Sequence, residues 1–416
     1  MELTANPLRP LSTHDLPVVL GTGAVYVTAG DERRATGTHY TPRSPTEPIV
    51  EYTLEPLVYV GPAEGEPRDN WRLKSPHDIL ALEVCDIAMG SGAFLVQACR
   101  YLAARVVEAW ALAEEREGHD LLVAPDGVLS VGAVGERLIP SLPPPEKGQT
   151  KLAGIDLHGS GDEPPPPSVR GRPSRPPSKV AREEERLGLA RRYVADRCLF
   201  GVDKNPWAVE MAKLSLWLVT LQKDRPFTFL DHALVAGDSL LGITSKEQLL
   251  SSHLDPMRGK EIHRLFAPKK WIEGELARAA EAREKIESLA TMTIVDAHHK
   301  AFLERQAREA TSDLAVLGDL LMGAALASNG KDAALDRTLQ NLAEDAIRLL
   351  PTDEEARSRA STQSPQRVKL RERLRKTARE LLDQGRGADN ASRTPLHWAL
   401  TPRWPAPDWR ARHRLP

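Results

Sequence analysis

Residues 85–110 read CDIAMGSGAFLVQACRYLAARVVEAW. The apolar run at 81–85 predicts a short strand, and residues 86–92 predict a tight turn. Beyond the turn, Phe94, Leu95, Ala98, Leu102 and Val106 recur at helical spacing on one side of a long segment. Strand, Gly-rich turn and helix in that order form the first crossover unit of a doubly wound α/β sheet. Open sheets of this class bind ligands outside the carboxyl ends of their strands, where this turn falls. Gly90 and Gly92 carry no Cβ and so admit a ligand close to the backbone.

The same turn narrows the ligand. A dinucleotide site needs G-x-G-x-x-G beneath the pyrophosphate. Here the G-S-G of residues 90–92 is followed by Ala93 and Phe94. Asp86, at the strand end, repels phosphate but accepts hydrogen bonds from an ammonium group. This chemistry suits the amino-acid end of S-adenosylmethionine better than NAD, and it disfavours a nucleotide-binding dehydrogenase. The competing reading is a Gly-rich turn that only reverses the chain.

D-I-A-M-G-S-G-A-F-L resembles the cofactor motif of adenine-specific DNA methyltransferases, D-P-A-M-G-S-G, with Ile87 in place of the usual Pro. Three more stretches resemble that family's motifs in the family's order. T-G-x-x-Y-T-P at residues 36–42 is similar to its N-terminal motif, and Thr46 with Pro48 predicts the start of the helix that follows. GVDKNPWAVEMAKLSLWL at 201–218 is similar to its second motif; it reads as a strand ending in Asp203, then Asn205 as cap and Pro206 as first helical residue. An acid at the end of a second strand commonly grips ribose hydroxyls. GDSL at 237–240 is similar to the third motif.

The resemblance implies a Rossmann-like S-adenosylmethionine-dependent methyltransferase half-sheet carrying a large α-helical insertion. It implies that Tyr40, Thr41, Asp86, Met89, Gly90 and Gly92 hold the methionine end of S-adenosylmethionine. Asp203 would hold the ribose and Asp238 the adenine amine, with Pro42, Ala88, Phe94 and Asn205 completing the cofactor-binding set. The family next places an Asn or Asp, Pro-Pro and an aromatic residue, which accept the N6 hydrogens of a flipped adenine and stack on it. No such tetrapeptide occurs in these 416 residues, so no catalytic residue is assigned. Residues 395–400, PLHWAL, resemble the lead-in to that motif. The expectation is an adenine-N6 DNA methyltransferase of the restriction-modification or phage-defence type, truncated before its catalytic motif and inactive alone. Its partners would be double-stranded DNA and a second chain carrying the remaining methyltransferase half. The alternatives are a non-catalytic or split subunit (or gene remnant) that binds cofactor or a partner chain, and a methyltransferase acting on RNA or on protein glutamine.

Composition divides the rest. Residues 1–35 are a lead-in, and 36–139 and 181–245 are the two halves of the cofactor region. They are separated by a Pro-rich, low-complexity insertion at 140–180, expected to pack poorly. In 246–390 glycine is sparse and Ala, Glu, Arg, Lys and Leu dominate. Helices are predicted near 271–290, 293–327, 332–350 and 366–384. The last of these is basic and reads either as a DNA-lining helix or as a solvated face. Residues 391–416 form a tail rich in Arg, Trp and Pro. A net charge of −2, from 56 Lys and Arg against 58 Asp and Glu, gives no global nucleic-acid signature. Cys85, Cys99 and Cys198 form no CxxC pair, which indicates a reduced, cytoplasmic protein without a zinc site. No apolar run looks long enough to span a membrane.

Overall fold

In the computed structural model, residues 43–123, 129–131, 178–179, 182–222, 225–262, 269–350, 365–386 and 392–401 are described. All of them lie in one unit, Thr38–Pro416. The chain enters through helix α1, Arg43–Val58. This helix begins ahead of Thr46, which is buried within it and is not the cap that the sequence suggested. A two-stranded antiparallel ribbon, β1 (Tyr59–Val60) and β2 (Arg72–Leu73), follows. Helix α2, Pro76–Leu80, is capped by Ser75, whose hydroxyl accepts from the Asp78 N–H.

Strand β3 spans Val84–Asp86 and leads through the turn into helix α3, Ala93–Glu117. Leu95, Ala98, Leu102 and Val106 are buried on α3 as their spacing requires, and Phe94 packs at the margin of the same core. Helix α3 ends at Gly118, which adopts the left-handed conformation that terminates helices most cheaply in glycine. Next comes an antiparallel sheet absent from the sequence reading: β4 (Leu121–Val123) between β5 (Leu129–Val131) and β6 (Ser178–Lys179). Its signal was present as two short apolar runs around Pro125-Asp126-Gly127, ordinary hairpin chemistry. The Pro-rich insertion at 140–180 falls almost wholly outside the described residues.

Helix α4, Glu183–Arg197, runs into β7, Leu199–Asp203. Asn205 caps helix α5, Pro206–Thr220, by accepting the Trp207 N–H at 3.0 Å. Strand β8 is Leu234–Ala236. Strands β3, β7 and β8 form a small parallel sheet in that order, with Asp86 opposite Gly201 and Asp203 opposite Ala236. Among the described residues, the other edge of β3 pairs with no strand.

The two faces of this sheet are covered differently. Val84, Leu199 and Leu234 join the core built by α3, α4 and α5. Cys85, Phe200, Val202 and Val235 face the opposite way and pack with Leu396 and Trp398. Helices were expected on both faces; here a stretch near residue 396 lies directly on the second one, with a helical layer behind it. That layer comprises two short helices, α6 (Lys246–Leu250) and α7 (Pro256–Ile262), and four long ones. The long ones are α8 (Lys269–Ser288), α9 (Ile294–Ala327), α10 (Asp332–Leu349) and α11 (Pro365–Leu382). The molecule is thus mixed α/β and mostly helical. On α11, Arg367 and Arg371 both pair with Asp313, and Arg373 reaches Asp345 at 2.6 Å. Three of the seven Lys and Arg residues between Arg367 and Arg379 are therefore committed to ion pairs with neighbouring helices.

Helix α9 also corrects the reading of the apolar runs. Among the described residues it is long and apolar enough to cross a membrane, but more than half of its apolar window is buried inside the protein. Lys300, fully buried on α9, pairs with Asp196 of α4 at 3.3 Å. Asp196 also accepts from Thr291 Oγ1 at 3.2 Å, and Arg192 donates to the Thr291 carbonyl at 2.5 Å. This polar cluster holds the helical layer to the α/β core.

Two predictions follow from the cluster. Burial of an unpaired charge costs about 3–5 kcal/mol. Asp196→Asn strands the Lys300 cation and leaves Arg192 only its carbonyl acceptors, so it is expected to lower unfolding free energy by about 3 kcal/mol in urea titrations. Lys300→Met leaves Asp196 with Arg192 and Thr291 and should cost distinctly less. His232 is buried nearby, and burial, with Lys300 and Arg283 adding positive charge, pushes its imidazole down to about 3. The native state therefore holds it neutral, while the unfolded chain takes up a proton as pH falls through the ordinary histidine range near 6.5. Stability linked to His232 is present above that range and lost progressively toward pH 3. His232→Gln should flatten the urea-midpoint profile over that window.

Candidate cofactor site

Parallel pairing puts the carboxyl ends of β3, β7 and β8 at one edge of the sheet, so Asp86, Asp203 and Asp238 gather there. The Asp203 carboxylate is the junction. Its Oδ2 accepts the Gly90 N–H at 2.9 Å and its Oδ1 accepts the Asn205 N–H at 2.7 Å. A carboxylate has roughly four lone-pair positions, so both oxygens keep acceptor capacity for incoming hydroxyls. Asp86 Oδ1 accepts the Ala88 N–H at 3.0 Å, which bends the chain into the turn. The Met89 N–H bonds the Val202 carbonyl at 2.9 Å, a second tie between the turn and β7.

The glycines serve the turn in distinct ways. Gly90 and Gly92 both have positive φ, 56° and 82°. A Cβ on Gly92 would meet Ala212 of α5 at 3.0 Å, so glycine there also lets α5 close against the start of α3. The Met89 side chain is buried over Gly201, so its backbone rather than its thioether belongs to the site. Phe94 is half-buried against the core, and Ala88 is exposed on the turn. Asp238 Oδ1 accepts the Leu240 N–H at 3.1 Å. Tyr40, Thr41 and Pro42 lie outside the described residues.

Electrostatics mark the same edge. Burial raises the Asp86 carboxyl above the ordinary range; the Ala88 N–H opposes this and the Asp203 charge adds to it. Burial likewise pushes the Cys85 thiol up to about 12, so it stays protonated and is no nucleophile. Two carboxylates held close in a partly desolvated site constitute stored electrostatic cost, and a cation placed between them relieves it. The aminium end of an amino-acid ligand is such a cation.

The sequence reading missed how Asp238 is braced. The Asp238 N–H donates to the Thr394 carbonyl at 2.7 Å, and Asp238 forms a parallel bridge with Pro395. Trp398 Nε1 donates to the Ser239 carbonyl at 3.0 Å. The Ile243 N–H donates to His397 Nδ1 at 3.3 Å, which puts the imidazole proton on Nε2, facing Asp319 Oδ1 at 3.1 Å. A Cβ on Gly242 would meet the Leu396 carbonyl oxygen at 1.9 Å, and the φ of Gly242 is 137°. The loop after β8 is therefore interlocked with residues 394–398 and, through Asp319, with α9. Only the PLHWAL resemblance hinted that residues so distant in the chain belong beside the site.

No protein-family profile matches the chain, and neither the curated proteins nor the solved structures contain a significant match. The functional reading therefore rests on the residues and their geometry.

A raised acid titration works against folding at neutral pH: stability linked to protonated Asp86 is full below the unfolded-state pKa and lost as pH rises through the folded one. Asp86→Asn keeps the acceptor for the Ala88 N–H and removes the desolvated charge. It is expected to raise the thermal midpoint at pH 7.5 by roughly 1–2 °C. It should leave the midpoint unchanged near pH 3. Differential scanning fluorimetry across pH reads both.

Proposed function

We propose that this chain binds S-adenosylmethionine at the carboxyl ends of β3, β7 and β8, as the cofactor-binding portion of a Rossmann-like, adenine-N6 DNA methyltransferase of the restriction-modification or phage-defence type. The observation that carries this reading is the junction at Asp203, where the acid of the second motif bonds the glycine turn of the first. Parallel strands in the order β3-β7-β8, each followed by an acid at the same edge, support the doubly wound reading.

In this reading Asp86 faces the aminium of the methionine moiety, and the N–H groups of the turn face its carboxylate. Asp203 accepts from both ribose hydroxyls, and Asp238 accepts from the adenine amine. The cofactor, when bound, supplies an electrophilic methyl group. The chain's own contribution is to hold the ligand along the strand ends with half-buried acceptors, whose hydration the ligand's donors replace.

A second reading is favoured by one specific observation. No Asn-Pro-Pro-aromatic or Asp-Pro-Pro-aromatic tetrapeptide occurs in the 416 residues. Binding without transfer by these residues is the corresponding function.

Calorimetry with S-adenosylmethionine is the test. Wild-type protein should bind, and Asp203→Ala should weaken binding by about 30-fold or more, since two hydrogen bonds to a charged acceptor are lost at about 1–1.5 kcal/mol each. Unchanged affinity in that variant removes the ribose assignment. Incubation with methyl-labelled cofactor and unmethylated DNA is expected to leave the DNA unlabelled. Label on adenine N6 would mean that other residues of this chain form the base pocket.

A further inference from the structure

Helix α5 is apolar on both sides. Its inner face, Val209, Ala212 and Leu216, is buried in the α/β core. Its outer face carries Trp207, Met211, Leu214 and Leu218, continued by Leu221, and these are 80%, 51%, 43%, 65% and 60% exposed. The steps between them are four, three, four and three residues, the a/d repeat of a helix–helix seam. Only Glu210 and Lys213 are charged in the whole helix, and they pair with each other at 2.9 Å. Phe227, 53% exposed, contacts Trp217 and widens the patch. A helix apolar all round is ordinarily buried all round.

We propose that this stripe is the contact between two copies of the chain, with α5 packed antiparallel against α5 of the second copy about a two-fold axis through Leu214. In that register Leu214 meets Leu214 and Trp207 meets Leu221, while Met211, three residues before the axis, and Leu218, four after it, lie beside each other offset by one residue's rise. The bulky Trp207 is thereby matched with a smaller side chain, and the helix dipoles oppose. The exposed apolar surface of these side chains amounts to roughly 600 Å² per copy, and about 1,200 Å² for the pair reaches the size of specific stable interfaces. The stripe is its own complement, as a two-fold contact requires, and it sets no charge against a like charge at its centre. The contact also places Trp207, two residues beyond Asn205, at the margin between the interface and the strand ends. The proposal does not depend on what the site binds.

Sedimentation equilibrium of the full chain tests it. Wild-type protein at about 20 µM is expected to sediment at twice 45.8 kDa. Leu214→Asp with Leu218→Asp should give a monomer, with the dissociation constant raised at least about 100-fold because each change enters the interface twice. Both positions are exposed, so circular dichroism and the thermal midpoint should match those of wild-type monomer. Leu214→Cys should cross-link under mild oxidation and Trp207→Cys should not. Cys99 and Cys198 are buried and Cys85 is half-buried, which keeps the background low. A monomeric wild type at 100-fold higher concentration overturns the proposal, whether the stripe is covered by another segment of this chain or by a different protein. A dimer that survives the double substitution, or cross-linking at Trp207 but not at Leu214, overturns it equally.

Discussion

The bond from the Gly90 N–H to the Asp203 carboxylate, at 2.9 Å, is the interaction on which the site's geometry depends. It joins a turn that follows the first parallel strand to an acid that ends the second. Within the turn, the Asp86 carboxylate accepts only the Ala88 N–H, and the Gly90 N–H takes its acceptor from another strand. Without an acceptor at a fixed place the turn would sample many shapes. Asp203 is fixed because β7 sits between two other strands, with Phe200 and Val202 buried on one face and Leu199 on the other. The Met89 N–H bonding the Val202 carbonyl repeats the constraint one residue earlier. The cost is the partial burial of Asp86, which raises its carboxyl above the ordinary range, with the Asp203 charge adding to it. Sites that bind charge are commonly built this way, with local instability held in place by the packed elements beneath.

Beyond the sheet, the helical layer bears on the same edge through two polar connections. One is the buried cluster of Asp196, Lys300, Thr291 and Arg192, which fixes α9 to α4. The other runs from Asp319 on α9 through His397 to the Ile243 N–H, just past the loop that carries Asp238. Buried polar connections contribute little net stability compared with well-packed apolar side chains, but they tolerate few alternative arrangements. Apolar packing alone, as between Gly323 of α9 and Leu381 of α11, would let helices slide by part of a turn. The ion pairs set the register. Helix α9 is thus a spine: its apolar side supports α8 and α11, and its charged groups tie it to the sheet.

Much of the architecture was legible in the chain. The strand–turn–helix character of 84–117 follows from an apolar run, two glycines that must take positive φ, and a helical repeat of apolar residues. Asn205 and Pro206 start α5 where capping chemistry puts it. The four long helices lie within a few residues of the spans that Asn329-Gly330 and the prolines allow. Local errors had local causes. Helix α1 begins three residues ahead of Thr46, with Pro45 in its first turn, where a missing N–H breaks no intrahelical bond, while Pro48 and Pro56 lie inside the helix. The β4–β5 hairpin was overlooked because its strands are three residues long, too short for a clear alternation.

What the sequence by itself determined was the type and order of elements and the identity of the acids at the strand ends, because periodicity, capping and turn chemistry act over a few residues. Tertiary structure alone decided which face of each strand meets which partner, and it brought Leu396, His397 and Trp398 to the sheet and to the loop after β8. Those contacts join residues 154 and 159 positions apart at the loop and farther apart at the sheet, and no short-range pattern encodes them. They depend on α9 and α11 folding back to return the chain to the sheet. Gly242, where a Cβ would collide with the Leu396 carbonyl, records that return within the sequence, but its meaning appears only once the two segments are side by side.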